Sequence, residues 1–419
     1  MSDATPNTDF DVTIAGGGLV GATLGIALAG SGLRVAVIEA HAYELPGQPS
    51  YDDRATAVAM GSRRVFEGLG LWRELEADAT PILRIHVSQR GHFGVTRMDH
   101  REEGVPALGC VVENRALGRV LTAALADAAV SRWMPARIRS FEDAGDRLRL
   151  RVDTADGERT LTTHLLVAAD GSRSELREMA GIGVHETPYH QTAVIANVTP
   201  QRHHEHVAYE RFTDDGPLAL LPMSGGRCAL VWTRPDDRLE ETLALDDAAF
   251  LSELHARFGH RLGRCVKMGA RASYPLSLLR AETDIAHRLV LVGNASHTIH
   301  PVSGQGLNLA LRDVAVLTEL LYETVANGGD PGDPALLERY QAWRRDDLDT
   351  VVRMTDALVR VFTNPWPGFG HLRGVGLVGM DLCPSLRHWF ARQGMGLRGR
   401  LPLLARGGDL DALRAGDRT

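Results

Sequence analysis

The first apolar run, Phe10 to Ala15 (FDVTIA), reads as a buried strand. Leu19 to Ala29 reads as a helix, and Leu33 to Ile38 as a second strand closed by Glu39. A polar loop from His41 to Tyr51 separates this unit from a helix that ends near Gly70. Ile82 to Gln89 reads as a strand running into a polar loop, Arg90 to Gly104. Val111 marks a strand end before a helix, where Leu117, Val120, Leu121 and Leu125 recur at helical spacing. Leu148 to Val152 alternates as a strand, and Leu165 to Ala169 is an apolar strand entering the Asp170-Gly171 turn. From about Gly183 to Glu282 the texture changes to short strands: Thr192–Val198, Val207–Phe212, Leu218–Pro222 and Cys228–Thr233. A helix over Asp247–Phe258 interrupts them, as expected of an antiparallel sheet inserted into the first domain. Leu289–Val292 is a further strand, and Pro301–Gly306 a loop. Gln305 or Gly306 opens a long helix to Ala326, amphipathic through Leu309, Val316 and Leu320, and Pro334–Phe362 reads as helical.

The glycines of the first unit carry chemistry. Gly16, Gly18 and Gly21 have the spacing of a dinucleotide fingerprint. Gly16 permits the tight turn, Gly18 the approach of a pyrophosphate, and Gly21 close packing of helix on sheet. The helix N-terminus offers unpaired N–H groups to phosphate. Glu39, eighteen residues past Gly21, suits a ribose 2′-OH, so the unit fits FAD or NAD rather than NADP. Arg54 follows at a place where a guanidinium could clamp a phosphate, although an isolated Arg more often forms a surface ion pair.

Composition narrows the remaining classes. With 419 residues, 44% hydrophobic and 24% charged, the chain suits two or three soluble domains. A net charge of -7 argues against a general nucleic-acid binder. Cys110, Cys228, Cys265 and Cys383 form no CxxC pair and read as reduced structural thiols of a cytoplasmic protein. The polar, acidic start has no signal-peptide pattern, and no apolar run reaches the ~18 residues of a transmembrane helix. His203, His204 and His206 lack spaced Cys or carboxylate partners, so no metal is expected.

Three stretches now stand in order: the Gly16 fingerprint, Asp170-Gly171 with Arg173, and Gly293-Asn294 with Pro301–Asn308. Together they resemble the group A flavoprotein hydroxylases, FAD monooxygenases of the 4-hydroxybenzoate hydroxylase fold, and in particular the ubiquinone-biosynthesis hydroxylases. GNASHTIHPVSGQGLNLALRD is similar to the branch acting on 2-polyprenyl-6-methoxyphenol, and the likeness spans nearly the whole chain. The fold class it implies is α/β (α+β overall). A Rossmann-like FAD-binding domain (1–75, 105–182 and 283–345) would carry an inserted antiparallel substrate domain (76–104 and 183–282) and a C-terminal helical segment (346–419).

The resemblance also implies roles. Gly16, Gly18, Gly21 and Glu39 would hold the ADP half of FAD, Arg54 its pyrophosphate, and Asn114 and Arg119 the ribityl region. Asp170, Gly171 and Arg173 would belong to a motif serving FAD and NAD(P)H. Gly293 and Asn294 would meet the ribityl chain, with Asn where most relatives have Asp; Gly306, Leu307 and Asn308 would complete the cofactor site. In that family FAD, reduced by NAD(P)H, reacts with O2 to a peroxide at its C4a position, and the distal oxygen passes to an electron-rich ring. Pro301, Gly304, Gln305 and Gly306 would place a helix N-terminus at the anionic flavin edge. His300, like His297, could deprotonate a phenol, the alternative being a loop-packing role. No second fingerprint exists for the nicotinamide cofactor.

The implied activity is hydroxylation of a prenylated phenol with O2 and NAD(P)H. Hydroxylation of a small soluble aromatic, or a flavin-binding scaffold role in a quinone-biosynthesis assembly, are the alternatives. From Leu358 to Arg406 there are seven Arg against one acid, Asp381, interleaved with Trp366, Phe369, Trp389, Phe390, Leu397, Leu401, Leu403 and Leu404. Such a segment suits a membrane surface, on the inner face, or a protein partner. The plainer reading is a helical cap on the FAD domain, and Gly374, Gly376, Gly379, Gly394, Gly396 and Gly399 argue against one long amphipathic helix.

Overall fold

The opening apolar run is buried because it forms the middle of a parallel sheet, covered on both faces. The computed structural model describes residues 8–41, 54–363 and 369–415; the loop read after His41 and Trp366 lie outside them. Strand β1 (Phe10–Ala15) leads to helix α1 (Leu19–Leu28) and strand β2 (Val35–Ile38). β1 pairs in parallel with β2, Val12 opposite Val35 and Ile14 opposite Val37. On its other side it pairs with Gly157–Ala168, Val12 opposite Leu165. Ser131–Trp133 extends the sheet beyond β2, and Leu289–Leu291 extends it beyond Gly157–Ala168. The strand read at Leu165–Ala169 is thus the end of a longer one, whose first half pairs antiparallel with Leu148–Thr154.

The helix read before Gly70 is preceded by a strand, β3 (Ala55–Ala59), which pairs antiparallel with Gly109–Glu113. The loop read over Arg90–Gly104 likewise contains a strand, β4 (Val95–Asp99), paired with Arg84–Gln89. Its charges obscured it: β4 ends a sheet, where charged side chains face water and guard an open edge.

Among the described residues that sheet has nine strands, and it comes mainly from the inserted region. Val184–Pro200 runs beside Ala272–Ala281 and Cys228–Pro235; Gly216–Pro222 and β5 (Val207–Thr213) follow. β5 pairs in parallel with Arg84–Gln89, so residues 84–99 share the sheet of the insertion. The helix Asp247–Phe258 covers the outer face with Phe250, Leu254 and Phe258 packed against Val194, Leu220, Leu230 and Trp232. Asp246 caps it, its side chain accepting from Ala249 N at 2.8 Å.

Helix α2 (Gly306–Ala326) crosses behind the parallel sheet, and α3 (Pro334–Thr363) packs on it. The C-terminal segment is not one long helix, but the break falls at Cys383-Pro384, where proline opens a new helix; Gly374, Gly376 and Gly379 lie inside the helix before it. α4 (Phe369–Leu382) lies on β4, and α5 (Pro384–Gly394) follows. Gly94 and Gly374 make the first contact possible: a Cβ on Gly94 would stand 2.3 Å from the Gly374 carbonyl oxygen. The last residues, with Leu403, Leu404 and Ala405 buried, pack against the helices Met60–Gly68 and α2.

Candidate active site

A cavity of about 2020 Å³ lies between the parallel-sheet domain, the inner face of the nine-stranded sheet, and helices α3 to α5. Single small-molecule sites hold ~300–1,000 Å³, so this one has room for a large cofactor and a second molecule.

At one end the fingerprint is built as its glycines demand. Gly16 has φ +101°, and a Cβ there would stand 2.4 Å from the Ala169 carbonyl oxygen. A Cβ on Gly21 would lie 1.8 Å from the Gly16 carbonyl oxygen, so α1 seats against the turn only with glycine. Gly18 begins α1 without a side-chain cap and lines the cavity, which leaves helix N–H groups for a ligand. Glu39 is buried beside this turn; its Oε2 accepts from Gly17 N at 2.6 Å and its Oε1 from His41 N at 2.8 Å. A carboxylate has further acceptor sites for a ribose hydroxyl.

The loop at the cavity's middle is equally specific. Pro301, Gly304, Gln305, Gly306, Leu307 and Asn308 all line it. Val302–Gly304 makes one 3₁₀ turn, and Gly304, at φ +61°, brings its backbone against Ala57. α2 then starts at Gly306 without a side-chain cap, and a Cβ on Gly306 would meet nothing within 4 Å. Gln305 is buried and donates from Nε2 to the Gly394 carbonyl at 3.0 Å, tying the loop to α5.

Asn308 holds this loop rather than offering its amide to a ligand. Its Oδ1 accepts from Ala59 N at 2.8 Å, and its Nδ2 donates to Ala57 O at 2.9 Å and Gly304 O at 2.7 Å. Asn114 lines the cavity, with its Oδ1 accepting from Thr56 Oγ1 at 2.6 Å. Arg54 lines it too, its guanidinium 4.9 Å above the Tyr274 ring. Gly171 and Asn294 also belong to the wall.

Other expected residues fall elsewhere. Arg119 is exposed and paired with Asp78, because five residues of helix turn it away from Asn114. Arg173 is exposed and does not line the cavity. The Asp170 carboxylate accepts from Leu176 N at 3.3 Å, capping the helix Glu175–Met179. His300 is not a wall residue either. It is fully buried, edge-on to Tyr189, and its Nδ1 accepts from Val302 N at 3.1 Å. Burial lowers its pKa to about 4, so it is neutral at pH 7 and fixes the loop from behind. His204 bonds the Met223 carbonyl at 3.0 Å, and among the described residues no group of His, Cys, Asp or Glu is placed to hold a metal ion.

Behind the loop lies a buried ionic network that pattern reading missed. Gly293 donates to Asp313 Oδ2 at 2.9 Å, and Arg344 Nε donates to Asp313 Oδ1 at 2.6 Å. Asp347 accepts from both Arg344 and Arg312 at 2.5 Å. Although burial opposes it, Arg312 and Arg344 hold the Asp347 pKa below its ordinary value. The signal was available: Arg312-Asp313 interrupts an apolar helix run, and charges there must be paired.

The FAD binding domain family model matches residues 9–355, and the chain belongs to that family of flavoproteins. It is an FAD-dependent hydroxylase. It is 41% identical to the ubiquinone hydroxylase UbiL of Rhodospirillum rubrum, over 92% of this chain and 89% of that one. It is 32% identical to the 3-demethoxyubiquinol 3-hydroxylase of Escherichia coli, over 93% of this chain and all of the other. The crystal structure of p-nitrophenol 4-monooxygenase PnpA from Pseudomonas putida superposes with a TM-score of 0.77 at 18% identity, covering 94% and 99% of the chains, a likeness of fold. The residues fit the cofactor: two helix N-termini without side-chain caps, at Gly18 and Gly306, stand in the cavity wall, and Gly306 leaves open space beside its backbone.

Proposed function

We propose that this protein hydroxylates the aromatic ring of a polyprenylated phenol in ubiquinone biosynthesis, using O2 and NAD(P)H. The cavity carries the reading. Past the Pro301–Gly306 loop its wall continues through Ile85, Val87, Leu221, Val231, Leu358 and Met380, an apolar channel suited to an isoprenoid chain. The fingerprint, Arg54 and Asn294 would hold FAD, and FAD when bound supplies the redox chemistry and oxygen activation. The residues of this chain orient the ring, exclude water, and set positive helix ends at Gly18 and Gly306 beside anionic groups. Neither a small soluble aromatic substrate nor a scaffold role needs such a channel. The test is NAD(P)H oxidation and product mass with phenols of increasing prenyl length. Products one oxygen heavier, at rates rising with chain length, are expected; a preference for the unprenylated phenol defeats the reading.

Membrane contact follows from α4 rather than from the basic tail. Arg360, Arg387 and Arg392 are opposed by Asp356, Glu102 and Glu103, which offsets much of the charge of the segment, and Leu403 and Leu404 are buried. By contrast Leu372, Val375 and Leu382 share one face of α4 and are 65, 57 and 76% exposed. Leu372 also lines the cavity, so this face is continuous with the substrate channel. Among the described residues no helix is long and apolar enough to cross a membrane, so contact would be peripheral. Full-length protein should float with phosphatidylglycerol vesicles, and Leu372→Glu/Val375→Glu/Leu382→Glu should remain at the bottom of the gradient. Equal flotation of both proteins would count against α4 as the contact.

A further inference from the structure

We propose that Glu210 is the catalytic residue that accepts the phenolic proton of the substrate. This rests on the hydroxylase reading above. Among the described residues two carboxylates line the cavity, Glu113 and Glu210. Glu113 is occupied by Arg227 at 2.6 Å and Arg115 at 3.2 Å. Glu210 has no hydrogen bond or ion pair with any described residue, and its wall position leaves the carboxylate to the cavity.

Its surroundings are apolar. Along β5, Ala208, Glu210 and Phe212 share the inner face, and Val87 and Ala219 stand opposite Glu210 on the two flanking strands. The neighbouring Arg211 donates to the Arg257 carbonyl at 3.0 Å on the outer side. From the packed helices, α3 brings Arg353 and α4 brings Arg373 to the same cavity. Arg353 forms no ion pair with Glu210, and the Arg373 guanidinium donates to the carbonyls of Val361 and Phe362. Burial alone raises the Glu210 pKa to about 7. An unpaired carboxyl in such a wall is costly, and a residue serving only to pack would be apolar. Its pKa also suits a general base at neutral pH.

The position suits the chemistry. Phe212, about 7 Å along the strand on the same face, packs with Val302 of the loop and stacks on Phe362 at 3.7 Å. A ring held between this wall and the Pro301–Gly306 loop presents its hydroxyl to Glu210. The phenolic O–H bond breaks as an Oε–H bond forms, leaving a phenolate whose ring carbons are richer in electrons. No oxidation state changes in this step; O2 and NAD(P)H serve the hydroxylation itself. The ring C–H proton is lost after oxygen transfer, and Glu210 returns its proton to the product oxygen or to water.

The experiment compares holoenzymes of the wild type, Glu210→Gln and Glu210→Asp. The probes are 2-geranylphenol and its O-methyl ether, which cannot give up a proton. Wild-type product formation should rise through about pH 7, and Glu210→Gln should fall by about a hundredfold and lose that limb, with Glu210→Asp recovering part of both. In titrations above pH 8 the wild type should bind the phenol about tenfold more tightly than the ether, from the charge-assisted hydrogen bond, and Glu210→Gln should show no preference. Retained rate, pH limb and phenol preference in Glu210→Gln overturn the proposal. Should no protein hydroxylate any prenylated phenol, the hydroxylase reading fails, and the phenol–ether preference still decides for or against proton acceptance by Glu210. If Glu210→Gln does not fold, an unaltered pH limb and phenol preference in Glu210→Thr overturn it equally.

Discussion

Arg344→Met should lower the thermal midpoint of this protein and strip it of flavin together. Arg344 is almost fully buried, with Asp313 at 2.6 Å and Asp347 at 2.5 Å. Removing it leaves two buried carboxylates short of a cation. Breaking such a pair costs about 3–5 kcal/mol. Spread over 419 residues at ~2.1 cal/mol/K each, about 4 kcal/mol corresponds to roughly 5 °C in a cooperative transition. The flavin effect follows from geometry: Asp313 also fixes the N–H of Gly293, the residue before Asn294 in the cavity wall. Calorimetry and the flavin-to-protein ratio of the purified variant check both. Adding Asp313→Asn should return part of the stability, since one uncompensated charge disappears. The sign with pH is fixed as well. The folded pKa of Asp347 is lowered, so its stabilisation is complete above its unfolded value of 3.8 and is lost as pH falls through the lower folded value. An unchanged midpoint in Arg344→Met would show that the network contributes nothing net.

Gly21→Ala should yield a colourless or insoluble protein, although alanine favours helices over glycine by ~1 kcal/mol. The added Cβ would sit 1.8 Å from the Gly16 carbonyl oxygen and 3.3 Å from Ile14 Cγ2. The first obstacle is backbone, so α1 must lift from the sheet and open the turn at Gly16–Gly18. Gly25→Ala, one helical turn further, is the matched control. Its Cβ would meet side chains only, Val37 Cγ2 at 3.0 Å and Leu125 Cδ1 at 3.1 Å, and these can yield. Flavin absorbance per mole of soluble protein should therefore separate the two, near zero for Gly21→Ala and close to wild type for Gly25→Ala. Equal flavin content would mean that the close seat of α1 is not what shapes the site.

Local order was legible because it repeats in the chain. A buried parallel strand needs an apolar run, and a tight turn beside a helix N-terminus needs glycine, so Phe10–Ala15 and Gly16, Gly18 and Gly21 declared themselves. The helix boundaries at Asp247, Phe258, Gly306 and Ala326 fell where periodicity put them. Which face each residue turns to depended on what packs beside it. Arg119 and His300 have suitable chemistry, yet one is rotated out to water and the other lies behind the loop it supports. Asp313, Arg344 and Asp347 come from two helices, and their pairing exists only once α3 lies on α2. Glu210 is one acid in the strand read at Val207–Phe212; the tertiary fold turns it to the cavity and, among the described residues, pairs it with no cation. The chain by itself determined the strand, glycine turn and helix over Phe10–Leu28, because local backbone geometry dictates those residues. Which carboxylates are paired, which histidines are dry and which helix face stays open were decided by packing, because burial and Coulomb interactions depend on neighbours distant in sequence.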